Sequence, residues 1–199
     1  MTRADEFHQV TPNLFVWQAY EPAVKCDLTS AALRIDDRLI LIDPIPLASE
    51  ALDELLGAGS PALIVSTNAN HARGADSFRK RFGIKMVAHR DAASGLDVAA
   101  DAFIDEGAQL LDGVDVCLVP GGSLGEIALK FGDIVCLGDA VIHLPDHGFA
   151  LLPDKYCADT KLLRQSLRNL LRWEFTVLTF AHGLPLTTQA RGRLASLLD

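Results

Sequence analysis

The chain has 199 residues, 49% of them hydrophobic, which allows one sizeable core in a single domain spanning 1–199. A net charge of −8 argues against nucleic acid or an anionic membrane as partner, since phosphate contact needs a basic face. No apolar run reaches the ~20 residues of a membrane helix, and the first residues, Met1 to Glu6, lack a signal peptide's apolar segment, so a cytoplasmic address is expected.

From Phe7 to Ile42 the pattern is β. Leu14 to Trp17 forms a short strand after Pro12-Asn13. Ala31 to Ile35 runs into the acidic turn Asp36-Asp37-Arg38 and returns as Leu39 to Asp43, apolar enough to be buried on both faces. Pro44 and Pro46 end that strand. Ala48, Ala51, Leu52, Leu55 and Leu56 share one helical face, with Gly57 at the C-cap. Leu63 to Ser66 is a buried strand that delivers the polar loop Thr67 to Gly74 at its carboxyl end, where α/β sheets bind ligands. Ala75 to Phe82 is a second helix closed by Gly83, and Lys85 to Ala88 is a strand. Between Asp91 and Asp112 only a short strand around Ala102–Ile104 is expected.

Val114 to Val119 is a strand ended by Pro120-Gly121-Gly122. The helix Thr160 to Leu171 turns Leu162, Leu163, Leu167, Leu170 and Leu171 inward and Arg164, Arg168 and Arg172 to a solvated side. A terminal helix, capped near Thr187 or Thr188, runs to Leu198. Cys26, Cys117, Cys136 and Cys157 form no C-x-x-C pair and read as reduced thiols.

The chain repeats itself. Ala32 to Asp43 matches Ala128 to Asp139 in pattern: strand, tight turn, strand, Asp. A helix and a strand follow each copy, delivering Asn68 in one case and His182 in the other.

Four stretches carry a family resemblance. Thr67-Asn68-Ala69-Asn70-His71-Ala72-Arg73-Gly74 resembles the first metal-binding loop of the metallo-β-lactamase superfamily, His-x-His-x-Asp-His after such a strand. Its ligand positions fall on Asn68, Asn70, Ala72 and Arg73. Val119-Pro120-Gly121-Gly122-Ser123-Leu124-Gly125 resembles the Pro-Gly-His-Thr-Pro-Gly stretch that supplies a third histidine, here Gly122. Leu137-Gly138-Asp139-Ala140 resembles the Gly-Asp-Ala segment whose Asp bridges two metals, and Ala181-His182-Gly183 the final His-Gly. The resemblance runs from about Leu14 to Leu198. It implies an α/β protein (α+β by some schemes), a pseudo-duplicated αββα four-layer sandwich of two mixed sheets. It also implies hydrolysis of a small ester, thioester or amide at a metal centre.

Only Asp139 and His182 keep family ligands, and a catalytic zinc generally needs three. The expectation is therefore a divergent member that has lost dinuclear-zinc hydrolysis, holds no cofactor and keeps a pocket for a small molecule, an anionic one included. The alternative is an enzyme with a reduced site. There His71, Asp139 and His182 hold zinc or another divalent ion, or perform metal-free acid–base chemistry. Asn68, Asn70, Arg73, His143 and Lys155 are candidate binding residues. Plainer readings stand beside these: His71 as a loop histidine, Asp139 and His182 as loop ties, Lys155 beside Tyr156 in a surface turn. Pro145 makes the segment of His143 and His147 a loop. Arg73 is expected to enter the lost second-metal space and pair with Asp139, with His182 in hydrogen-bonding reach.

Overall fold

The structure is a computed structural model that describes residues 2–145 and 147–199. Two mixed sheets pack face to face. The first runs β1 (His8–Thr11), β2 (Leu14–Glu21), β3 (Cys26–Ile35), β4 (Arg38–Ile42), β5 (Ser60–Val65), β6 (Lys85–His89) and β7 (Ala102–Ile104) in spatial order. The second holds β8 (Gln109–Leu110), β9 (Val114–Leu118), β10 (Ile127–Phe131), β11 (Ile134–Cys136) and β14 (Val177–Thr179), in the order β14-β11-β10-β9-β8. A separate ribbon pairs β12 (Val141–Leu144) with β13 (Gly148–Leu151).

Alternating side chains of both sheets make the central core: Leu33, Ile35, Ile40 and Ile42 face Val116, Ile127, Leu129 and Cys136. On the outer face of the first sheet lie α1 (Ser49–Leu56) and α2 (Ala75–Phe82), burying Leu52, Leu55 and Phe78 against Leu39, Leu41 and Ile64. On the second sheet α3 (Thr160–Leu170) and α4 (Ala190–Leu198) bury Leu163, Leu167, Leu170 and Leu194 against Val135, Leu137 and Leu178. These are the four layers expected. No helix among the described residues is long and apolar enough to cross a membrane.

The internal repeat is present in the pairing. β3 and β4 form an antiparallel hairpin, and β4 pairs in parallel with β5 after α1. β10 and β11 form an antiparallel hairpin, and β11 pairs in parallel with β14 after α3. Asp43 and Asp139 follow the corresponding strands.

Some expectations need correction. β2 and β3 are longer than their apolar cores, because the hairpin continues in register from Leu14↔Leu33 to Glu21↔Cys26. The His143–His147 segment is not a loop throughout: His143 sits in β12, and the chain turns past Pro145 into β13. Pro145 falls in the turn, where its missing N–H costs no ladder bond. On α3 Leu162 is exposed and Ser166 buried, so the inward stripe is Leu163, Ser166, Leu167 and Leu170. Gly57 caps α1 with a right-handed φ of −65°, so its freedom from a Cβ is not used for a left-handed turn.

Candidate functional site

The site is built where carboxyl ends of strands from both sheets meet. Asp43 follows β4 and is buried; its carboxylate accepts from Thr67 N at 2.7 Å and Thr67 Oγ1 at 2.5 Å. His71, from the loop after β5, places Nδ1 2.9 Å from Asp43 Oδ2 and Nε2 3.1 Å from Asp139 Oδ1. His182, after β14, places Nε2 3.2 Å from the same Oδ1. Its Nδ1 faces the Asp27 carbonyl at 3.0 Å and Cys26 Sγ at 3.5 Å. The other Asp139 oxygen accepts from Asn68 Nδ2 at 3.0 Å and Ser123 Oγ at 2.8 Å. Asn68 cannot turn its amide oxygen that way, because the oxygen accepts from Asn70 N at 2.9 Å.

The sequence therefore brings Asn68, His71, Asp139 and His182 together. Asn70 is exposed and contributes only its backbone N–H. His143 packs its ring against Phe149 and Phe180 and points Nδ1 at the Leu184 carbonyl; it reaches the site through its backbone, whose N–H donates to His182 O at 3.0 Å. Lys155 is exposed and lies over its neighbour Tyr156.

Arg73 does enter the cleft, but it makes no ion pair with Asp139 among the described residues. Its φ of 42° turns the side chain under three backbone carbonyls. Nη1 donates to Thr29 O at 2.6 Å and Asp43 O at 3.2 Å, and Nη2 to Ala181 O at 3.3 Å. Asp139 is already ringed by His71, His182, Asn68 and Ser123, which leaves the guanidinium to tie the segments that carry Asp43 and His182.

Sequence reading passed over Asp43, Thr67, Ser123, Cys26 and Glu126. The repeat held a signal for Asp43, since it is the counterpart of Asp139, and the two aspartates grip His71 from opposite ring nitrogens. Gly122, taken as the third-ligand position, has no side chain to offer, and the neighbouring Ser123 supplies the contact.

Burial and charge set the protonation states. Burial is the largest influence on His71 and would lower its pKa, and Arg73 adds to that, yet the Asp139 and Asp43 carboxylates together outweigh both and the net pKa is raised. His182 is likewise lowered by burial but lifted by its contacts with Asp139 and Cys26, to about 10. Asp139 would be raised by burial, but the His71 charge and contacts from both histidines hold it well below 3.8. Glu126 is raised well above 4.5 by burial and then by the charge of Asp139, which favours its protonated form. Its Oε1 accepts from Ala140 N at 2.6 Å, beside Asp139.

These directions fix a pH dependence for the metal-free protein. A histidine whose folded pKa is raised stabilises fully below its unfolded value and loses that contribution as pH rises through the folded one. For His182 the window runs from 6.5 to about 10, and His71 has the same sign. Glu126, a raised acid, also loses stability as pH rises above 4.5. The urea midpoint is expected to fall steadily between pH 6.5 and 10; a midpoint unchanged across that range would mean that both histidines are neutral in the fold.

The four-layer fold and the convergence of loop residues on one edge define an αββα-sandwich protein with a polar cluster at the edge of its two sheets. The family model of the metallo-beta-lactamase superfamily matches residues 7–187, and the chain belongs to that superfamily. Among solved structures it is similar to the DIM-1 metallo-beta-lactamase exposed to ceftazidime, at 16% identity and a TM-score of 0.78, covering 98% of this chain and 97% of that one. It is similar to a metallo-beta-lactamase from Erythrobacter litoralis with beta-mercaptoethanol in its active site: 18% identity, TM-score 0.76, 96% and 95% covered. A third, from Pontibacter korlensis, matches at 16% identity and a TM-score of 0.75, with 97% and 98% covered. No protein of curated function matches the chain in sequence. At these identities the structural likeness establishes the fold.

Proposed function

We propose that the protein has given up the family's dinuclear centre for a single divalent-metal site on His71, Asp139 and His182, and that it hydrolyses a small ester, thioester or amide there. One observation carries this reading. Both histidines commit Nδ1 to an acceptor behind them, and both Nε2 atoms converge on Asp139 Oδ1. A neutral imidazole so placed would set a lone pair against a carboxylate. Each Nε2 must therefore carry a proton or face a cation. Oδ1 is buried and receives no well-directed hydrogen bond, and one ligand atom from each residue lies within 4.8 Å of the others.

The donor set suits zinc or another first-row divalent ion: two imidazoles and a carboxylate, with a position left for substrate. The charge fits too. Two imidazolium protons and one divalent ion carry the same charge, so Asp43, Asp139 and Arg73 keep their balance either way. When bound, the ion supplies Lewis acidity toward a substrate carbonyl.

The chain's own residues do the positioning. Asp43 fixes the His71 tautomer, backed by Thr67. Asn68 and Ser123 hold Asp139 by one oxygen and leave the other facing inward. The cavity lined by Asp43, Thr179 and Ala181 has about 10 Å³, room for one water, so a substrate approaches over His182, whose side chain is 18% exposed. Arg73 has its donors on carbonyls, which favours a neutral substrate over the anionic one considered from sequence.

Titration with Co²⁺ or Zn²⁺ at pH 7.5 should find about one ion per chain and a rise in melting temperature, since a ligand at 100 times its Kd stabilises by about 2.7 kcal/mol. Binding should tighten with pH, as the ion displaces histidine protons. His71→Ala, which removes a residue outside the family's own ligand pattern, should abolish it. Retention of a full equivalent by His71→Ala, or no binding by the unmodified chain, would sink the reading.

A second reading rests on Cys26. Its Sγ lies 3.5 Å from His182 Nδ1 and Asp139 lies beyond Nε2, so in the tautomer with Nε2–H toward Asp139 and Nδ1 free of the Asp27 carbonyl, His182 would be the base and the thiol the nucleophile of metal-free chemistry. Hydrolysis that survives chelation and disappears in Cys26→Ser would favour it.

A further inference from the structure

Away from this cluster, α3 and the end of β9 enclose a cavity of about 430 Å³, within the ~300–1,000 Å³ of small-molecule sites. Its wall changes character from end to end. Leu118, Pro120 and Leu162 form an apolar part, and Leu162 is exposed there although the helix pattern would bury it. Arg172, Glu106 and the half-buried Trp173 form a charged and aromatic part.

The two opposite charges line one cavity without joining in an ion pair among the described residues. Glu106 accepts from the Leu118 N–H at 2.5 Å and lies beside the Cys117 thiol, with its side chain exposed. Arg172 sits past the end of α3 with a five-donor guanidinium. Glu106, Arg172 and the half-buried Cys117 line the same cavity, where burial and then Glu106 raise the Cys117 thiol pKa and Arg172 lowers it.

We propose that this cavity binds a small zwitterion with an apolar body, the chemistry of a free α-amino acid with a branched or aromatic side chain. The carboxylate meets Arg172 and the ammonium meets the Glu106 carboxylate. The side chain lies between Leu118, Pro120 and Leu162, and Trp173 adds an aromatic surface beside the ion pairs. A carboxylate or an amine alone would engage one of the two charges and leave the other to solvent.

Calorimetric titration of the full chain with L-leucine and L-phenylalanine tests this, beside N-acetyl-L-leucine and L-leucinamide. The free amino acids should bind saturably at one per chain. Blocking either end should weaken binding at least about fivefold, and Arg172→Ala or Glu106→Gln should do the same. Both residues are exposed, so neither change threatens folding. Absence of saturable binding by either amino acid at millimolar concentration would overturn the proposal. So would equal binding of the N-acetyl and amide derivatives, or wild-type affinity in both variants.

Discussion

Asp139→Ala is expected to lower the stability of the metal-free protein by about 3 kcal/mol at pH 7, far beyond an ordinary surface change. The carboxylate is the hub of the site: His71, His182, Asn68 and Ser123 all direct polar atoms at it. Its removal strands each of them in a buried setting, and Arg73 loses a counter-charge that its own burial makes valuable. The histidines can relieve part of the loss by releasing protons, which is why the figure is not larger. Asp139→Asn keeps the volume and one acceptor, so it should cost less, about 2 kcal/mol. Urea unfolding with an unchanged m-value gives the difference directly. A loss under about 1 kcal/mol for Asp139→Ala would mean that the cluster is solvated in solution and the charges are not held against one another.

The sequence carried the fold through periodicity and repetition. The apolar run Leu39–Ile42, the one-sided helix around Leu52 and Leu55, and the repeat of Ala32–Asp43 at Ala128–Asp139 each survive in the structure, because burial on a sheet or helix face imposes them directly. The β12–β13 ribbon was not legible: it is short and half-exposed, so no hydrophobic alternation marks it. The site was legible in part. Asp139 and His182 came from local motifs, and His71 from standing beside lost ligand positions. Asp43 needed the pairing of the two halves, Ser123 the close packing of the loop after β9 against Asp139, and Cys26 a hairpin longer than its apolar core. The direction of Arg73 depended on a left-handed φ and three backbone carbonyls, neither of which a residue type announces.

Gly183→Ala is expected to be the most damaging single methyl in this region, costing more than about 3 kcal/mol. Two effects of the same sign act together. Gly183 has a φ of +98°, a conformation that an L side chain adopts only with strain. A Cβ there would also lie 1.9 Å from the His143 carbonyl oxygen, and backbone cannot swing aside as a flexible side chain would. The only relief is to separate the Gly183 segment from β12, breaking the parallel bridge between His143 and Gly183 and the bond from His143 N to His182 O. That movement carries His182 with it, since the residues are adjacent. Loss of stability should therefore come with loss of the metal binding proposed above, even though none of the three proposed ligands has been changed. Gly132→Ala is the comparison: its φ of +58° is also left-handed, yet nothing lies within 4 Å of an added Cβ, so it should cost about 1 kcal/mol and leave the site intact. Equal losses in the two variants would show that strain alone acts at Gly183, and the contact between the ribbon and the His182 loop would lose its role in placing the histidine.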